Sequence, residues 1–365
     1  SDVYKRQGVQ IVPPADADIA AKIASVGAVR DIPLAESGWE TMPESFVDEY
    51  VEAILPIIER SDATDTGAAR AARANLRIVH TAMHGVGSAT MLSAFESAGF
   101  TDVHSVKEQQ EPDPDFPTVP FPNPEEKGAI DLAAKLAEQV EADLVIANDP
   151  DADRCAAAIY DPRREAWRML HGDELGLLLA TYIADHREVE GAFANSIVSS
   201  RSLGALAKAR GYASTQTLTG FKWIARAHNI AFGYEEAIGY CVLPDVVKDK
   251  DGMSAALAIA ELAALTKAHG ASLVDLLDDL ARECGLYLTS QLSIRVSNLD
   301  RIDEMMTTLR TTPPSALANS PVVDVRDLAE GSLETTGLPP TNGMFLLAED
   351  DSRVIVRPSV SYTHL

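Results

Sequence analysis

Three aspartates at alternate positions, Asp149, Asp151 and Asp153, stand directly before Arg154 in the segment Asn148-Asp149-Pro150-Asp151-Ala152-Asp153-Arg154. Alternate carboxylates in a tight loop can converge on one hard cation, and a neighbouring arginine can hold phosphate oxygens through two parallel hydrogen bonds. Three carboxylates on one divalent ion suit magnesium or manganese. A calcium loop of the EF-hand type is excluded, because it needs glycine at its sixth position and glutamate at its twelfth, where this chain has Arg154 and Tyr160. The rival reading is an acidic, solvated turn. The segment follows the apolar run DLVIA (143–147), however, and open α/β sheets bind ligands at the carboxyl ends of their buried strands.

A second group lies in Gly233-Tyr234-Glu235-Glu236-Ala237-Ile238-Gly239-Tyr240, again at the end of an apolar run. Adjacent carboxylates beside glycines can accept hydrogen bonds from vicinal sugar hydroxyls, or can serve as capping acids at a turn. Lys248-Asp249-Lys250-Asp251-Gly252 precedes a long alanine-rich stretch; aspartate and glycine there are ordinary helix-start chemistry, while the lysines make a local anion site. Thr219-Gly220-Phe221-Lys222 is a strand-to-helix turn whose lysine either reaches the same cleft or is solvated. His84-Gly85-Val86-Gly87 allows a tight turn into a helix. Its glycines either expose amides to phosphate or serve packing, with His84 a satisfied turn residue. Cys155, inside a predicted strand, reads as a small buried hydrophobe.

These groups sit on a repeating order of apolar strand, tight turn and amphipathic helix. LRIVHTAM from Leu76 is a strand, Ser88 to Ala98 a helix, TDVHSV a strand, Pro112 to Pro124 a loop, Glu125 to Glu141 a helix, and DLVIA a buried strand paired with CAAAIYD. A helix from Asp173 to Ala184 and the charged stretch 185–191 then close one domain. The same beat recurs. AFANSIVSS, ASTQTLT and IAFGYEE are strands, with helices over Leu203 to Arg210, from Phe221, and from Gly252 to Ala268. Beyond Cys284 the pattern changes to a strand-like run, LYLTSQLSIRVS, a helix from Leu299 or Asp300, a Pro-, Ser- and Thr-rich connector, and late strands near 344–347 and 354–356. The fold class is α/β and multi-domain: two α/β domains with mixed sheets plus a smaller C-terminal α+β domain.

The bulk properties agree. At roughly 150 residues per domain, 365 residues make about two to four domains, and 46% apolar composition fits a globular chain with real cores. Thirty-one Lys plus Arg against 55 Asp plus Glu leave a net charge of -24, whose field disfavours nucleic acid and anionic membranes as partners. An anionic ligand must therefore meet a local positive site. Three scattered cysteines, Cys155, Cys241 and Cys284, make neither a disulfide framework nor a zinc cluster, and no apolar run reaches membrane-span length. A cytoplasmic protein is the expectation. The opening SDVYKRQ and closing SVSYTHL continue no periodic pattern and resemble translated adaptor sequence, so the chain reads as a fragment.

In the order HGVG, NDPDADR, TGFK, GYEEAIGY, KDKDG and RPS, the motifs resemble the α-D-phosphohexomutase family of phosphoglucomutases and phosphomannomutases, in the branch close to phosphopentomutases. The resemblance covers about residues 8 to 359. It implies four domains around a cleft. In the first, a serine phosphate gives its phosphoryl group to the sugar, and the bisphosphate then turns over and returns its other phosphate. It implies one magnesium ion per chain, held by Asp149, Asp151 and Asp153 together with the serine phosphate, with Arg154 beside them. It also implies Lys250 as an aid to proton transfer, Thr219, Gly220 and Lys222 as a sugar-discriminating loop, and Glu235, with Glu236 as a weaker match, as ligands of sugar hydroxyls. Arg357 and Ser359 would open the distal phosphate loop. The implied partner is a small phosphosugar, and a sugar bisphosphate is the implied activator. By this reading 1–40 is the remnant of the first domain and its linker, 41–189 the metal-loop domain, 190–285 the sugar-loop domain and 286–365 the C-terminal phosphate-binding domain.

Three departures qualify the resemblance. Ala237 stands where the family often has serine, which leaves hexose against pentose open. Val360 replaces the glycine expected after Arg357-Pro358-Ser359. The sequence also holds no Ser-His-Asn run, so the chain is expected to bind magnesium weakly and not to turn over alone. Two other classes stay open: a metal-dependent sugar-phosphate phosphatase with an aspartate nucleophile, and a non-catalytic phosphosugar-binding protein.

Overall fold

The computed structural model describes residues 9–43, 45–58, 67–294, 296–298, 300–331 and 337–358. Its contacts divide it into two compact units, Ser1–Leu288 and Thr289–Leu365. The first unit opens with helices α1 (Ala15–Ala24), α2 (Ser45–Ile54) and α3 (Gly67–Ala74) and then builds a five-stranded sheet. In that sheet β1 (Arg77–Thr81) is flanked by β2 (Asp102–Ser105) and β3 (Leu144–Asn148), and β4 (Cys155–Asp161) and β5 (Ala166–Met169) continue from β3. Helix α4 (Ser88–Ala98) links β1 to β2 and helix α5 (Asp131–Val140) lies between β2 and β3, so β1 runs parallel to both neighbours. β4 and β5 add antiparallel hairpins. The strand β3 is buried along its whole length, as its apolar run Leu144–Ala147 requires of a strand covered on both faces, and only its last residue, Asn148, is polar.

After α6 (Gly172–His186) the plan repeats. β6 (Ala192–Ser196), α7 (Ser202–Arg210), β7 (Ala213–Thr217), the single turn α8 (Phe221–Ile224), β8 (Ile230–Glu235) and β9 (Gly239–Cys241) give a sheet of order β7-β6-β8-β9, with the last strand antiparallel. Helix α9 (Gly252–Ala268) is apolar nearly all round and buried over 13 residues, because it packs on β3, β4, α3 and α4 from one sheet and on α6 and β9 from the other. One continuous core therefore runs from Ile78 and Ile146 through Leu257 and Ile259 to Phe193 and Phe232. α10 (Leu273–Cys284) opens on a capping box between Ser272 and Asp275. No single helix among the described residues is long and apolar enough to cross a membrane.

The second unit carries α11 (Asp300–Thr311) and an antiparallel sheet of β10 (Ala316–Leu317), β11 (Ser320–Asp327), β12 (Met344–Ala348) and β13 (Arg353–Val356), closed over Met306, Met344 and Leu346. The expected architecture, two mixed α/β sheets and a smaller α+β module, is the one found. Details differ. The helix expected from Glu125 starts only at Asp131, since Gly128 turns the chain at φ +86° and breaks the run. The described part of LYLTSQLSIRVS forms no strand. Leu286, Leu288, Leu292 and Ile294 are all exposed, and alternation alone makes no ladder without a strand edge to pair with. The Pro-, Ser- and Thr-rich connector, conversely, contains β11.

Candidate functional site

The aspartate loop joins β3 to β4, and its geometry is fixed from several sides. Ala152 takes a left-handed φ of +57°, which folds Asp151 and Asp153 back toward Asp149, and its N–H donates to the Asp149 carbonyl at 2.9 Å. Candidate ligand oxygens of Asp149, Asp151 and Asp153 lie within 4.8 Å of one another. Asp149 is buried, Asp153 half-buried and Asp151 exposed. The Arg154 N–H donates to Asp149 Oδ1 at 2.9 Å and its Nε donates to Oδ2 at 2.6 Å, which locks the guanidinium onto the buried carboxylate. Behind the loop, Asn148 donates to the Arg154 carbonyl at 2.9 Å and accepts from His80 Nε2 at 3.1 Å.

His84-Gly85-Val86-Gly87 seats this loop. Val86 N–H donates to the Pro150 carbonyl at 2.9 Å, a Cβ on Gly85 would fall 2.4 Å from Pro150 Cα, and one on Gly87 would fall 2.6 Å from Ala152 Cβ. The two glycines thus serve close packing against the aspartate loop, and His84 is satisfied by Thr118 Oγ1 at 2.8 Å.

Three separate motifs are stitched together by main chain. Arg154 and Gly239 form an antiparallel bridge, and Cys155 N–H donates to the Ile238 carbonyl at 3.1 Å. Asp251 N–H donates to the Tyr240 carbonyl at 2.8 Å and Gly252 N–H to the Ala152 carbonyl at 3.2 Å. NDPDADR, GYEEAIGY and KDKDG, up to a hundred residues apart in sequence, therefore form one backbone cluster. Lys250 Nζ crosses the junction to pair with Asp153 Oδ2. Desolvation would lower the pKa of its ammonium, but Asp153, Asp249 and Glu235 outweigh it and hold the pKa above its ordinary value.

The electrostatics of the cluster fit a hard divalent cation. Partial desolvation by the loop around it and then the like charges of Asp149 and Asp153 raise the carboxyl of the exposed Asp151 above the usual range, and a bound cation relieves that crowding. All three donors are carboxylate oxygens, the class that magnesium and manganese prefer. In the Gly233–Tyr240 loop, burial and then the Glu236 charge push Glu235 up to about 7, with Lys250 opposing them.

Two family models match the chain: phosphoglucomutase/phosphomannomutase alpha/beta/alpha domain II over residues 48–161 and domain III over residues 171–284. The chain belongs to the phosphoglucomutase/phosphomannomutase family. It is 41% identical over 355 residues to a "probable phosphomannomutase" of Haemophilus influenzae, covering 96% of this chain and 69% of that protein. It is 32% identical to the human phosphopentomutase, covering 90% of this chain and 57% of the relative. Among solved structures it is similar in fold to parafusin, a phosphoglucomutase from Paramecium in its open form, with a TM-score of 0.61 and 19% identity over 87% of this chain and 55% of that one. The chain thus spans between about half and two thirds of the length of these relatives.

Within the family frame, the structure brings Asp149, Asp151, Asp153, Arg154, Glu235 and Lys250 to one junction. Thr219, Gly220 and Lys222 form the turn from β7 into α8, with Gly220 at φ +106° and Lys222 Nζ 5.8 Å from the Trp223 ring centre; the bonds that stitch the other loops do not include them. Arg357 follows β13 in the second unit, and Ser359 lies outside the described residues.

Glu236 is held from behind. Its Oε2 accepts from Ser196 Oγ at 2.9 Å and Ser199 Oγ at 2.7 Å, and its N–H donates to Ser199 Oγ at 3.2 Å. Reading AFANSIVSS as one strand hides these serines, since β6 stops at Ser196 and the next residues turn. Asp173 escapes the sequence reading as well. Its Oδ1 accepts from Tyr234 Oη at 2.8 Å and from Ser200 N–H at 2.6 Å, tying the start of α6 to β8.

Proposed function

We propose that this chain carries the metal loop and sugar loop of a phosphosugar mutase that moves a phosphoryl group between the 1- and 6-positions of a hexose phosphate, glucose or mannose, or between the 1- and 5-positions of a pentose phosphate. The observation that supports this reading is the main-chain junction of the Asp149–Arg154, Glu235–Gly239 and Lys250–Gly252 segments, which brings together the residues read as metal, phosphate and hydroxyl ligands. Phosphoryl transfer depends mainly on positioning and charge neutralisation, which is what such a junction supplies.

Each residue then has a part. Asp149, Asp151 and Asp153 would hold one magnesium ion, which when bound neutralises phosphate charge. Arg154, clamped through Nε by Asp149, presents its terminal nitrogens to phosphate oxygens without having to be ordered first. Lys250 supplies a second positive charge and a transferable proton at Nζ. Glu235 accepts sugar hydroxyls, and Glu236, braced by Ser196 and Ser199, fixes the loop beside it. Lys222, Thr219 and Gly220 would discriminate between sugars, and Arg357 and Ser359 would hold the distal phosphate. A sugar bisphosphate serves as activator.

The sequence contains no Ser-His-Asn run, so the phosphoryl carrier would be a phosphoserine outside these 365 residues. The test pairs two proteins. The chain alone, given glucose 1-phosphate, glucose 1,6-bisphosphate and magnesium, is expected to show no isomerisation by phosphorus NMR. The complete open reading frame is expected to interconvert glucose, mannose or ribose phosphates in a magnesium-dependent way, with Asp151→Asn costing at least ~100-fold. Release of inorganic phosphate, abolished by Asp149→Asn, would put a phosphatase in its place, and no turnover from the complete frame would leave a binding protein.

A further inference from the structure

Lys250 stands between two acidic loops and serves both. Its Nζ pairs with Asp153 Oδ2 and lies 3.8 Å from Asp249, and its side chain is only 17% exposed, so water does little of the solvation. On the other side is Glu235. A Cβ placed on Gly239 would lie 3.0 Å from Glu235 Oε1 and 3.0 Å from Lys250 Cδ, so the missing side chain of Gly239 leaves the space in which the lysine stem and the glutamate carboxylate come together. Asp149 is meanwhile bound through both oxygens to Arg154. Before any metal arrives, two of the three aspartates thus already have a protein cation.

A divalent ion on the three aspartates needs an oxygen of Asp153, and an ammonium on the same carboxylate repels it. The divalent ion carries twice the charge and draws on three carboxylates, so the lysine is the partner that yields. We propose that Lys250 is an exchangeable counter-ion: it neutralises Asp153 in the metal-free protein and is handed to Glu235 when a divalent cation binds, so that metal occupancy sets the charge of the sugar loop. The proposal rests on the reading of Asp149, Asp151 and Asp153 as a metal site. Its consequence is reciprocal coupling, since whatever stabilises Lys250 on Glu235 must tighten metal binding by the same factor.

Calorimetric titration of Mn2+ alone into the metal-free chain tests this, with Lys250→Met, Lys250→Gln, Glu235→Gln and Asp151→Asn compared with wild type and circular dichroism confirming the fold of each. Both lysine variants are expected to bind Mn2+ about tenfold tighter, because no ammonium competes for Asp153. Glu235→Gln is expected to bind more weakly than wild type, because the displaced lysine loses its acceptor. Asp151→Asn should remove the heat. Unchanged or weaker binding by both lysine variants, with Asp151→Asn still abolishing it, overturns the exchange while leaving the metal site intact. Unchanged binding by Glu235→Gln overturns the transfer to the sugar loop. No heat in wild type overturns the exchange and the metal reading together.

Discussion

Gly252 shows how tightly single residues constrain the site. A Cβ there would lie 2.2 Å from the Arg154 carbonyl oxygen and 2.7 Å from that of Ala152, both main-chain atoms of the aspartate loop. Gly252→Ala is therefore expected to cost about 3 kcal/mol or more in urea unfolding, since backbone cannot yield as a flexible side chain does. Gly204, inside α7, is the contrast: its Cβ would meet only Ser214 Oγ at 3.6 Å, so Gly204→Ala should stabilise the fold by ~0.5–1 kcal/mol. His80 gives a pH dependence. It is fully buried, and burial, only partly offset by its bond to Asn148, lowers its pKa from 6.5 to about 4. Below pH 6.5 the unfolded chain takes up a proton that the folded chain refuses until about pH 4, so stability falls as the pH falls through that window, by about 3 kcal/mol in all. His80→Leu should flatten this component, at the cost of leaving the Asn148 carbonyl without its donor. The difference between the two urea-midpoint profiles over pH 4–6.5 checks it, and parallel profiles would contradict the assignment.

At the scale of elements, α9 is the piece on which both sheets depend. It carries Glu261, fully buried, whose carboxylate pairs with the Arg73 guanidinium of α3 at 2.7 Å. Arg73→Met takes the guanidinium from a carboxylate in the core, and a loss of about 3–5 kcal/mol is expected. In the double variant with Glu261→Met most of that loss should return, because the buried charge is gone as well. A double-mutant cycle in urea reads the coupling, and additive losses would show that the pair does not act as one. The sequence made some elements plain and hid others for physical reasons. The NDPDADR loop was legible because its chemistry is contiguous and follows an unbroken apolar strand. The bounds of α9 were legible too, from Asp251-Gly252 at its start, but an all-round apolar helix does not say which faces it serves. β9 has three residues and β5 four, too short for a period to show, and Pro321 and its Ser- and Thr-rich surroundings concealed β11. LYLTSQLSIRVS had the right alternation and no ladder to join among the described residues. Ser196, Ser199 and Asp173 act through contacts 27 to 61 residues away, which no local pattern reports.

At the scale of the whole first unit, the two sheets share a plan, with three parallel strands and then an antiparallel one in the orders β2-β1-β3-β4 and β7-β6-β8-β9. The aspartate loop between β3 and β4 and the glutamate loop between β8 and β9 occupy equivalent places in that plan, and they meet at the Arg154–Gly239 bridge. The site is thus made where two copies of one topology face each other, and their relative placement is fixed by main-chain bonds and a common core. Consecutive family models over 48–161 and 171–284 would suggest two independently folding pieces. The packing argues otherwise, because one face of β3 and β4 is covered by α9, which the chain supplies only at Gly252–Ala268, after the second sheet is complete. A fragment ending at 186 therefore exposes Leu144, Ile146 and Ala157 without their cover and is expected to aggregate or to bind a hydrophobic dye as an incompletely packed state. In the intact chain, Trp167 reports on the first sheet and Trp223 on the second. Single-tryptophan variants retaining one or the other should give coincident urea midpoints, since neither sheet can lose its contacts to α9 without uncovering the other. Two separated midpoints, or a well-folded fragment ending at 186, would mean that the shared helix does not bind the modules into one cooperative unit.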